Sequence, residues 1–313
     1  MPVSAGSPAP LRRRFRHRLE FAVVRVVAVV CGALPAVVAD RAGALLGWVA
    51  ARMGRPRWGV VTSQLRMAFP DATEGWRRTM GRRSYVHFGR EAVAMFRLAG
   101  ASRAEILKRT RLVGRELLEK AAREGRGVMV VSGHLGNWEV GAAGVVARGF
   151  PMDIIVARQR NRHFDRYLTR ARERLGVGVI PRGDAPRAAF ASLKAGRVVG
   201  LMGDQDARGA GVFVDFFGRP ASTARGPAVL SMRAGVVLAT FCAIRLPGWR
   251  PRYEVRIEAV PEVEPGSDRA AKVMTLTRAF TSRLEEQVRK QPCQYFWHHR
   301  RWKTPPPRAD TAT

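Results

Sequence analysis

The sequence predicts an α/β protein, with a largely parallel sheet flanked by helices and an N-terminal, membrane-associated helical segment. The main observation is a change near residue 125, after which short runs of β-branched residues alternate with amphipathic helical segments. Such alternation is typical of parallel strands that are covered by helices on both faces of the sheet. Before that point the pattern is helical, and the chain begins with a basic stretch that leads directly into apolar residues.

The N-terminal region is predicted as a basic, disordered end at residues 1–20 and a membrane-associated segment at residues 21–51. Within this segment, Phe21–Ala39 is apolar except for Arg25, and Ala42–Ala51 is a second apolar piece. A spanning helix needs about 20 apolar residues, so the segment could span the membrane or lie in its interface. A cleaved signal peptide and a buried core helix are the alternatives. Positive charge flanks the stretch on both sides and therefore does not indicate an orientation.

A domain at residues 52–303 follows, helical to about residue 125 and α/β beyond it, and residues 304–313 are predicted to be a disordered tail. In the helical part, Trp76–Leu98 has apolar residues at helical spacing, and Glu116–Arg123 ends before two glycines. The predicted strands are Val128–Val131, Asp153–Ala157, Val177–Ile180, Val198–Met202, Val212–Phe216, Val236–Arg245 and Tyr253–Ala259. The helices between and after them begin near Trp138 and cover Arg162–Leu175, Ala185–Ala195, Arg225–Ala234 and Ala270–Lys290.

The composition is strongly basic. Among 313 residues, 55 are Lys or Arg and 25 are Asp or Glu, so the formal net charge is +30 at pH 7. Hydrophobic residues make up 46%, which provides a core and argues against global disorder. The charge indicates an anionic partner, which could be nucleic acid, a lipid surface, an acidic protein or a phosphorylated substrate. Three widely spaced cysteines argue against a disulfide framework or a zinc module and indicate a reducing compartment.

The strongest local signal is a histidine followed five residues later by a glutamate, His134 and Glu139, just after the predicted strand Val128–Val131. Open parallel sheets bind ligands at the carboxyl ends of their strands, and Gly133 and Gly136 permit a tight turn there. A carboxylate that accepts a hydrogen bond from one imidazole nitrogen leaves the other free to take a proton from a hydroxyl. We therefore predict a general base with its orienting partner. The alternative is a loop histidine and a surface glutamate without a catalytic role.

Several ordered motifs resemble the bacterial lipid A biosynthesis acyltransferase family, the lauroyl and myristoyl transferases, over roughly residues 20–305. The motifs are Gly133–Glu139, Met202–Asp206, Gly211–Pro220 with Ser222-Thr223 after it, and Tyr295–Lys303. The resemblance implies transfer of a fatty acyl chain from acyl carrier protein to a hydroxyl of a lipid A precursor in lipopolysaccharide biosynthesis. It also implies that His134 is the general base, that Glu139 orients it, and that the catalytic domain faces the cytosol at the inner membrane.

The absence of several sequence motifs agrees with the expected acyl transfer. There is no G-x-S-x-G element, and Ser132 directly precedes His134, which is a poor position for a Ser/His relay. A thioester donor is already activated, so attack by the acceptor hydroxyl needs a base and oxyanion donors but no enzyme nucleophile. The glycine-rich stretches lack the Walker lysine-hydroxyl pair and the dinucleotide fingerprint. We therefore expect no cofactor and no metal, and the expected partners are acyl carrier protein, a glycolipid acceptor and an anionic membrane surface.

Arginines dominate the helix predicted at residues 162–175. One face has an arginine at every fourth position, namely Arg162, Arg166, Arg170 and Arg174. This face is either simply solvated or a dock for acidic carrier protein or lipid phosphate. Arg172 lies near the edge of the opposite, apolar stripe, where a cation needs a partner. Arg158 follows a strand end and could bind phosphate or the oxyanion. Both are predicted substrate-binding residues.

Three polar residues follow the predicted strand Val198–Met202, which should end at the same edge of the sheet as His134. They are Asp204, Gln205 and Asp206. We predict that they order the active site or bind a substrate hydroxyl or amine. The alternative is that these residues cap the loop without a chemical role. Two aspartates alone would be few ligands for a cation.

The C-terminal run Cys293–Lys303 mixes aromatic and basic side chains. This composition suits the lipid headgroup region, and packing of Trp297 and Trp302 against the domain is the alternative.

Two other functions compete with the lipid A expectation. One is acyl transfer to another glycolipid or phospholipid, such as a phosphatidylinositol mannoside. The other is nucleic-acid binding, which only the charge suggests. Because no recognition helix, finger or RNA-binding signature accompanies the arginines, no nucleic-acid partner is expected.

Overall fold

The computed structural model describes residues 11–248, 250–261 and 268–307. The helices are α1 (Leu11–Ala33), α2 (Ala36–Val49), α3 (Trp58–Ala68), α4 (Glu74–Leu98), α5 (Arg103–Arg109), α6 (Arg115–Arg123), α7 (Trp138–Ala147), α8 (Arg162–Arg174), α9 (Ala185–Lys194), α10 (Gly226–Ala234) and α11 (Arg269–Lys290). The strands are β1 (Thr110–Val113), β2 (Val128–Gly136), β3 (Met152–Val156), β4 (Val177–Pro181), β5 (Val198–Met202), β6 (Val212–Phe216), β7 (Arg219–Thr223), β8 (Val237–Arg245) and β9 (Tyr253–Ala259).

A seven-stranded sheet forms the centre of the domain, in the order β1-β9-β8-β2-β5-β3-β4. Neighbouring strands are parallel except β8 and β9, which run antiparallel. Strands β6 and β7 form a separate antiparallel hairpin. The predicted α/β class with a largely parallel, helix-flanked sheet is therefore confirmed.

The first part of the central strand β2 is buried on both faces, which explains the apolar run Val128–Val131. Val128 and Val130 pack into a core with residues of α6 and α7, whereas Met129 and Val131 pack into a core with residues of α9, α10 and α11. Successive side chains of a strand point to opposite faces, so a strand between two helical layers needs apolar residues at every position.

Strand β5 lies beside β2 in a register that places their carboxyl ends together. Ser132 is opposite Met202, and the backbone N–H of Gly203 donates to the Ser132 carbonyl at 2.8 Å. His134, near the end of β2, and Asp204, just after β5, therefore meet at one edge of the sheet.

The two N-terminal helices pack against the domain. α1 and α2 are separated at Leu34 and Pro35, and α2 lies along α4. Glycines allow the close approach: a Cβ on Gly47 would be 2.3 Å from the Tyr85 carbonyl oxygen, and a Cβ on Gly89 would be 2.2 Å from that of Gly43. A larger side chain at these positions would push the helices apart.

A buried polar network also joins α2 to the domain. Arg245 donates to Asp40 at 2.7 Å and to Glu91 at 3.1 Å, and the Tyr253 hydroxyl donates to Glu91 at 2.8 Å. The Asn137 amide donates to the same Glu91 carboxylate at 2.7 Å. Buried charges need such partners, and these contacts connect α2, α4 and β8 with the loop that follows His134.

The N-terminal disorder predicted for residues 1–20 is wrong for residues 11–20, which form the first turns of α1. The helix is held by α8: the Asn161 amide donates to the His17 carbonyl at 2.9 Å, and Phe21 stacks on His163. The predicted disordered ends at residues 1–10 and 308–313 lie outside the described residues, and residues 304–307 belong to no helix or strand.

Two strands were not predicted. β1 interrupts the region predicted to be helical up to about residue 125, and β7 pairs with β6. Each is short, and β1 exists because its four residues pair with β9 at the sheet edge. A run of this length shows no clear period in the sequence.

Within the described part of the chain, none of the helices combines the length and apolar character needed to cross a membrane.

Candidate active site

His134 lies near the carboxyl end of β2, where the backbone is held on both sides. The Phe296 N–H donates to the His134 carbonyl at 2.9 Å, and Leu135 pairs with Tyr295. The strand ends at Gly136, whose φ is +66° and whose Cβ position lies 2.0 Å from the Ala243 carbonyl oxygen. Only glycine fits there, so the turn after His134 depends on it.

Asp204 is the residue that orients His134. One carboxylate oxygen is 2.7 Å from Nδ1 of His134, and the other accepts the backbone N–H of the same residue at 2.7 Å. Asp204 is buried, whereas the His134 side chain remains 18% exposed. Because Asp204 holds Nδ1, the imidazole keeps Nε2 for a substrate.

The two groups shift each other's titration. Burial raises the pKa of Asp204, but the charge and hydrogen bonds of His134, together with the charge of Arg301, outweigh it and lower the pKa from 3.8 to about 2. Burial lowers the pKa of His134, but the Asp204 carboxylate more than compensates and raises it above its ordinary value. The pair thus consists of an ionised carboxylate and an imidazole of increased basicity.

Glu139 does not contact His134, contrary to the prediction that it orients the imidazole. Its carboxylate binds the guanidinium of Arg172 at 3.0 and 2.5 Å in a bidentate pair. Glu139 lies in the first turn of α7, whereas His134 still belongs to β2, so the two side chains leave the backbone in different directions. Arg172 has the partner that its place at the apolar edge requires, and this partner is the glutamate of the motif.

The Nε2 side of His134 is lined by polar and aromatic groups. The Gln205 amide nitrogen is 3.4 Å from Nε2, and the rings of Trp138 and Phe296 lie 4.9 and 6.0 Å from the imidazole centroid. Gln205 itself is exposed. The imidazole thus lies beside one exposed amide and two aromatic rings, and Gln205 is the polar side chain found near Nε2.

Asp206 turns away from His134 and anchors the loop. Its backbone N–H donates to Nε2 of His299 at 3.0 Å, and its carboxylate accepts the Thr304 hydroxyl at 2.9 Å. Burial lowers the pKa of His299, which fits an imidazole that accepts a hydrogen bond. His299 was not among the predicted site residues, and its position in the aromatic and basic C-terminal run was the only signal in the sequence.

The C-terminal run packs into the domain. Trp297 is 1% exposed, so the packing alternative is confirmed for this residue. Arg301, also missed, is buried and donates to the Ser222 carbonyl at 2.7 Å, and its backbone N–H donates to Gln64 at 2.7 Å. These contacts tie the end of the chain to α3 and to the β6–β7 hairpin.

Arg158 is not brought to His134. It lines a separate cleft of about 820 Å³ along α8, together with the exposed side chains of Arg162, Arg166 and Arg170. Among the described residues, no group of three or more His, Cys, Asp or Glu side chains is arranged to hold a metal ion.

Comparison with known proteins identifies the family. The family model for bacterial lipid A biosynthesis acyltransferases matches residues 9–304. The chain is 30% identical over 280 residues to a lipid A biosynthesis lauroyltransferase of Escherichia coli, covering 87% of this chain and 88% of the relative. It is 27% identical over 269 residues to the palmitoleoyltransferase of the same organism, covering 84% of each.

Another relative is a phosphatidylinositol mannoside acyltransferase of Mycolicibacterium smegmatis, 28% identical over 220 residues, covering 69% of this chain and 68% of the relative. All of these relatives are acyltransferases by name. As its motifs predicted, the chain belongs to the bacterial lipid A biosynthesis acyltransferase family and is an acyltransferase.

Proposed function

We propose that this acyltransferase moves a fatty acyl chain from acyl carrier protein to a hydroxyl of a lipid A precursor in lipopolysaccharide biosynthesis, with His134 as general base. The observation that carries the proposal is the His134–Asp204 pair at the sheet edge, in which the carboxylate holds Nδ1 and the imidazole side chain is 18% exposed. The family match over residues 9–304 supports the substrate class.

In the proposed reaction, Nε2 of His134 removes the proton of the acceptor hydroxyl as its oxygen attacks the thioester carbonyl carbon. The ionised Asp204 stabilises the imidazolium that forms. The carbon–sulfur bond then breaks, the ester is released, and the imidazolium returns the proton to the leaving thiolate. Glu139 takes no direct part in these proton transfers. Its pair with Arg172 joins the start of α7 to α8 beside the motif.

A second acceptor class has comparable support. The relatives from mycobacteria are named phosphatidylinositol mannoside acyltransferases, and the match to one of them covers 69% of this chain. The His134–Asp204 chemistry is the same for either acceptor, since each offers a hydroxyl. Lipid profiling of a deletion strain distinguishes them: loss of an acyl chain from a mannoside, with unchanged lipid A, would favour this second function.

The N-terminal helices are proposed to attach the enzyme to the inner membrane by lying in its interface, with the catalytic domain in the cytosol. Apolar side chains of α1 that share one face are exposed, namely Phe15, Leu19, Val23, Val26 and Val30. On α2, Leu45, Leu46 and Trp48 are exposed as well. An apolar face with arginines near it suits the boundary between headgroups and acyl chains.

The exposed arginines of α8 are the proposed dock for the carrier protein. They line the cleft that includes Arg158, and acidic side chains are few there, with Asp165 and Glu173 among the lining residues. The positive charge of this surface would attract an acidic carrier protein.

The direct test is an assay of the purified enzyme with acyl carrier protein loaded with a series of chain lengths and a tetraacylated lipid A precursor as acceptor. His134→Ala should reduce turnover by at least about 100-fold, because a positioned general base contributes that much or more. His17→Ala is the matched control, since the His17 ring is remote from β2 on α1. Near-normal turnover of folded His134→Ala would contradict the mechanism.

A further inference from the structure

A strongly basic cleft of about 480 Å³ opens beside the candidate active site. Five cationic side chains line it: Arg57, Arg182, Arg208, Arg300 and Lys303. They come from four parts of the chain, which are the start of α3, the end of β4, the loop after β5 and the C-terminal run. We call this surface the basic cleft. Asp206 is the one carboxylate among its lining residues, and the Thr304 hydroxyl binds it.

The five cations of the basic cleft have no partner among the residues that the structure describes. Within the part of the chain that the structure describes, none of the five forms an ion pair or donates a side-chain hydrogen bond. Two arginines elsewhere, in contrast, each bind a carboxylate, in the pairs Arg172–Glu139 and Arg197–Asp153. Five unpaired cations that converge on one cleft repel one another, and a bound anion removes that repulsion.

Two of these arginines have an unfavourable backbone conformation. Arg57 has a φ of +62° and Arg208 a φ of +56°, both in the left-handed region. This conformation disfavours every residue with a Cβ, and glycine would adopt it without strain. Strain of this kind concentrates at ligand-binding sites, where the side chain is needed at that place. The strained backbone therefore indicates that both guanidinium groups take part in binding a ligand.

The basic cleft reaches the reacting imidazole. Gln205 lines the cleft, and its amide nitrogen is 3.4 Å from Nε2 of His134. His299 lines it too and is held by the backbone of Asp206. A ligand in the cleft would therefore lie directly beside the group that is proposed to deprotonate the acceptor hydroxyl.

We propose that the basic cleft binds a phosphate monoester carried by the glycolipid acceptor and so positions the acceptor hydroxyl at His134. The inference rests on the proposed acyl transfer to a glycolipid. A phosphate monoester carries a charge of about −1.5 to −2 at neutral pH and offers three acceptor oxygens, which suits several converging arginines. A phosphodiester, as in the arm of a carrier protein or in a phosphatidylinositol headgroup, carries a single negative charge. The five cations would therefore attract it less strongly.

The first experiment measures binding without catalysis. Isothermal titration of the full chain in detergent at low ionic strength, with inorganic pyrophosphate as the probe, should show one site. Arg57→Gly and Arg208→Gly should each weaken binding roughly tenfold, because each removes a charge-assisted contact. Both variants should fold, since glycine relieves the left-handed strain. Arg55→Gly is the matched control: Arg55 is also left-handed, with a φ of 38°, but does not line the cleft.

Equal losses of pyrophosphate affinity in all three variants would overturn the site, because the effect would then be one of net charge alone. Loss confined to Arg57→Gly and Arg208→Gly would support a phosphate site even if the enzyme transferred no acyl chain to the precursor. In that case the proposed acyl transfer would be contradicted, whereas the phosphate site in the basic cleft would be supported.

The second experiment identifies the substrate that uses the cleft. With wild type, removing the phosphate monoesters of the acceptor by phosphatase should raise its KM roughly tenfold and leave the KM of the acyl donor unchanged. In Arg208→Gly, the acceptor KM should already be raised and should respond less to phosphatase than in the wild type. An increase in the donor KM instead would assign the cleft to the donor and overturn the acceptor proposal, while the acyl-transfer activity itself would remain established by the same assay.

Discussion

At the scale of single residues, the carboxylate of Asp204 is hydrogen-bonded to His134, the proposed general base. We expect Asp204→Asn to reduce kcat by at least about 100-fold, since the imidazole loses both its orientation and the charge that stabilises its protonated form. The carboxylate raises the pKa of His134, so its removal lowers that pKa. A base acts in its neutral form, and the acid limb of the remaining pH–rate profile should therefore move to lower pH.

The measurement is kcat against pH for the wild type and Asp204→Asn. Asp215→Asn serves as the control, because Asp215 is an exposed aspartate on β6. An unchanged acid limb in Asp204→Asn would show that another group titrates in the profile.

A second residue-scale prediction concerns the pair of Glu139 and Arg172. Both side chains are mostly buried, so removing one partner leaves the other charge uncompensated. We expect Glu139→Gln and Arg172→Met each to destabilise the fold, and the double variant to lose less than the sum of the two. A coupling of roughly 1–3 kcal/mol in the free energy of unfolding is expected.

This double-mutant cycle is measured by denaturant unfolding of the wild type, the two single variants and the double variant. Strict additivity would mean that the two side chains do not act as a pair. The exposed pair Arg115–Glu119 provides the reference cycle, and a coupling below about 1 kcal/mol is expected there.

At the scale of elements, close packing of α2 on α4 connects the N-terminal helices to the catalytic domain. A Cβ at Gly47 would lie 2.3 Å from the Tyr85 carbonyl oxygen, so Gly47→Ala must move one helix. We expect a loss of about 1–3 kcal/mol in the free energy of unfolding, as for other overpacked positions. Gly75→Ala is the control, because a Cβ there meets no atom within 4 Å. Equal stability of both variants would contradict the packing.

The buried polar network connects α2 to the candidate active site. Asp40 on α2 and Asn137 after β2 are joined through Arg245 and Glu91. Asn137 also accepts the Val140 N–H at the start of α7. Displacement of α2 would therefore disturb α7, which begins directly after the turn that follows His134.

At the scale of the whole molecule, the charge of +30 and the exposed apolar face of α1 together favour binding to an anionic bilayer. We expect the enzyme to sediment with vesicles that contain anionic lipid, more weakly with zwitterionic vesicles, and less as salt is added. Val26→Glu should reduce binding because it places a charge in the apolar face, whereas Leu107→Glu, at an exposed apolar position on α5, should not. Equal binding by both variants would mean that α1 is not the contact surface.

Much of the architecture could be predicted from local pattern. The alternation of apolar runs and amphipathic helices predicted the parallel sheet, and β9 agrees with its prediction at both ends. His134 was found because glycines and a strand end mark its position. β1 was not predicted, since four residues are too few to show a period, and the helix at residues 11–20 depends on contacts with α8.

Local sequence pattern was enough to predict the fold class, the sheet edge that carries the candidate site and the residue types available there. The three-dimensional arrangement was needed to find the partners, which are Asp204 for His134 and Arg172 for Glu139, and to bring the cations of the basic cleft together. The physical reason is that local periodicity reports which face of an element is buried, whereas the partner of a side chain depends on strand order and register. Asp204 is 70 residues from His134 along the chain, and the adjacency of β2 and β5 alone brings the two together.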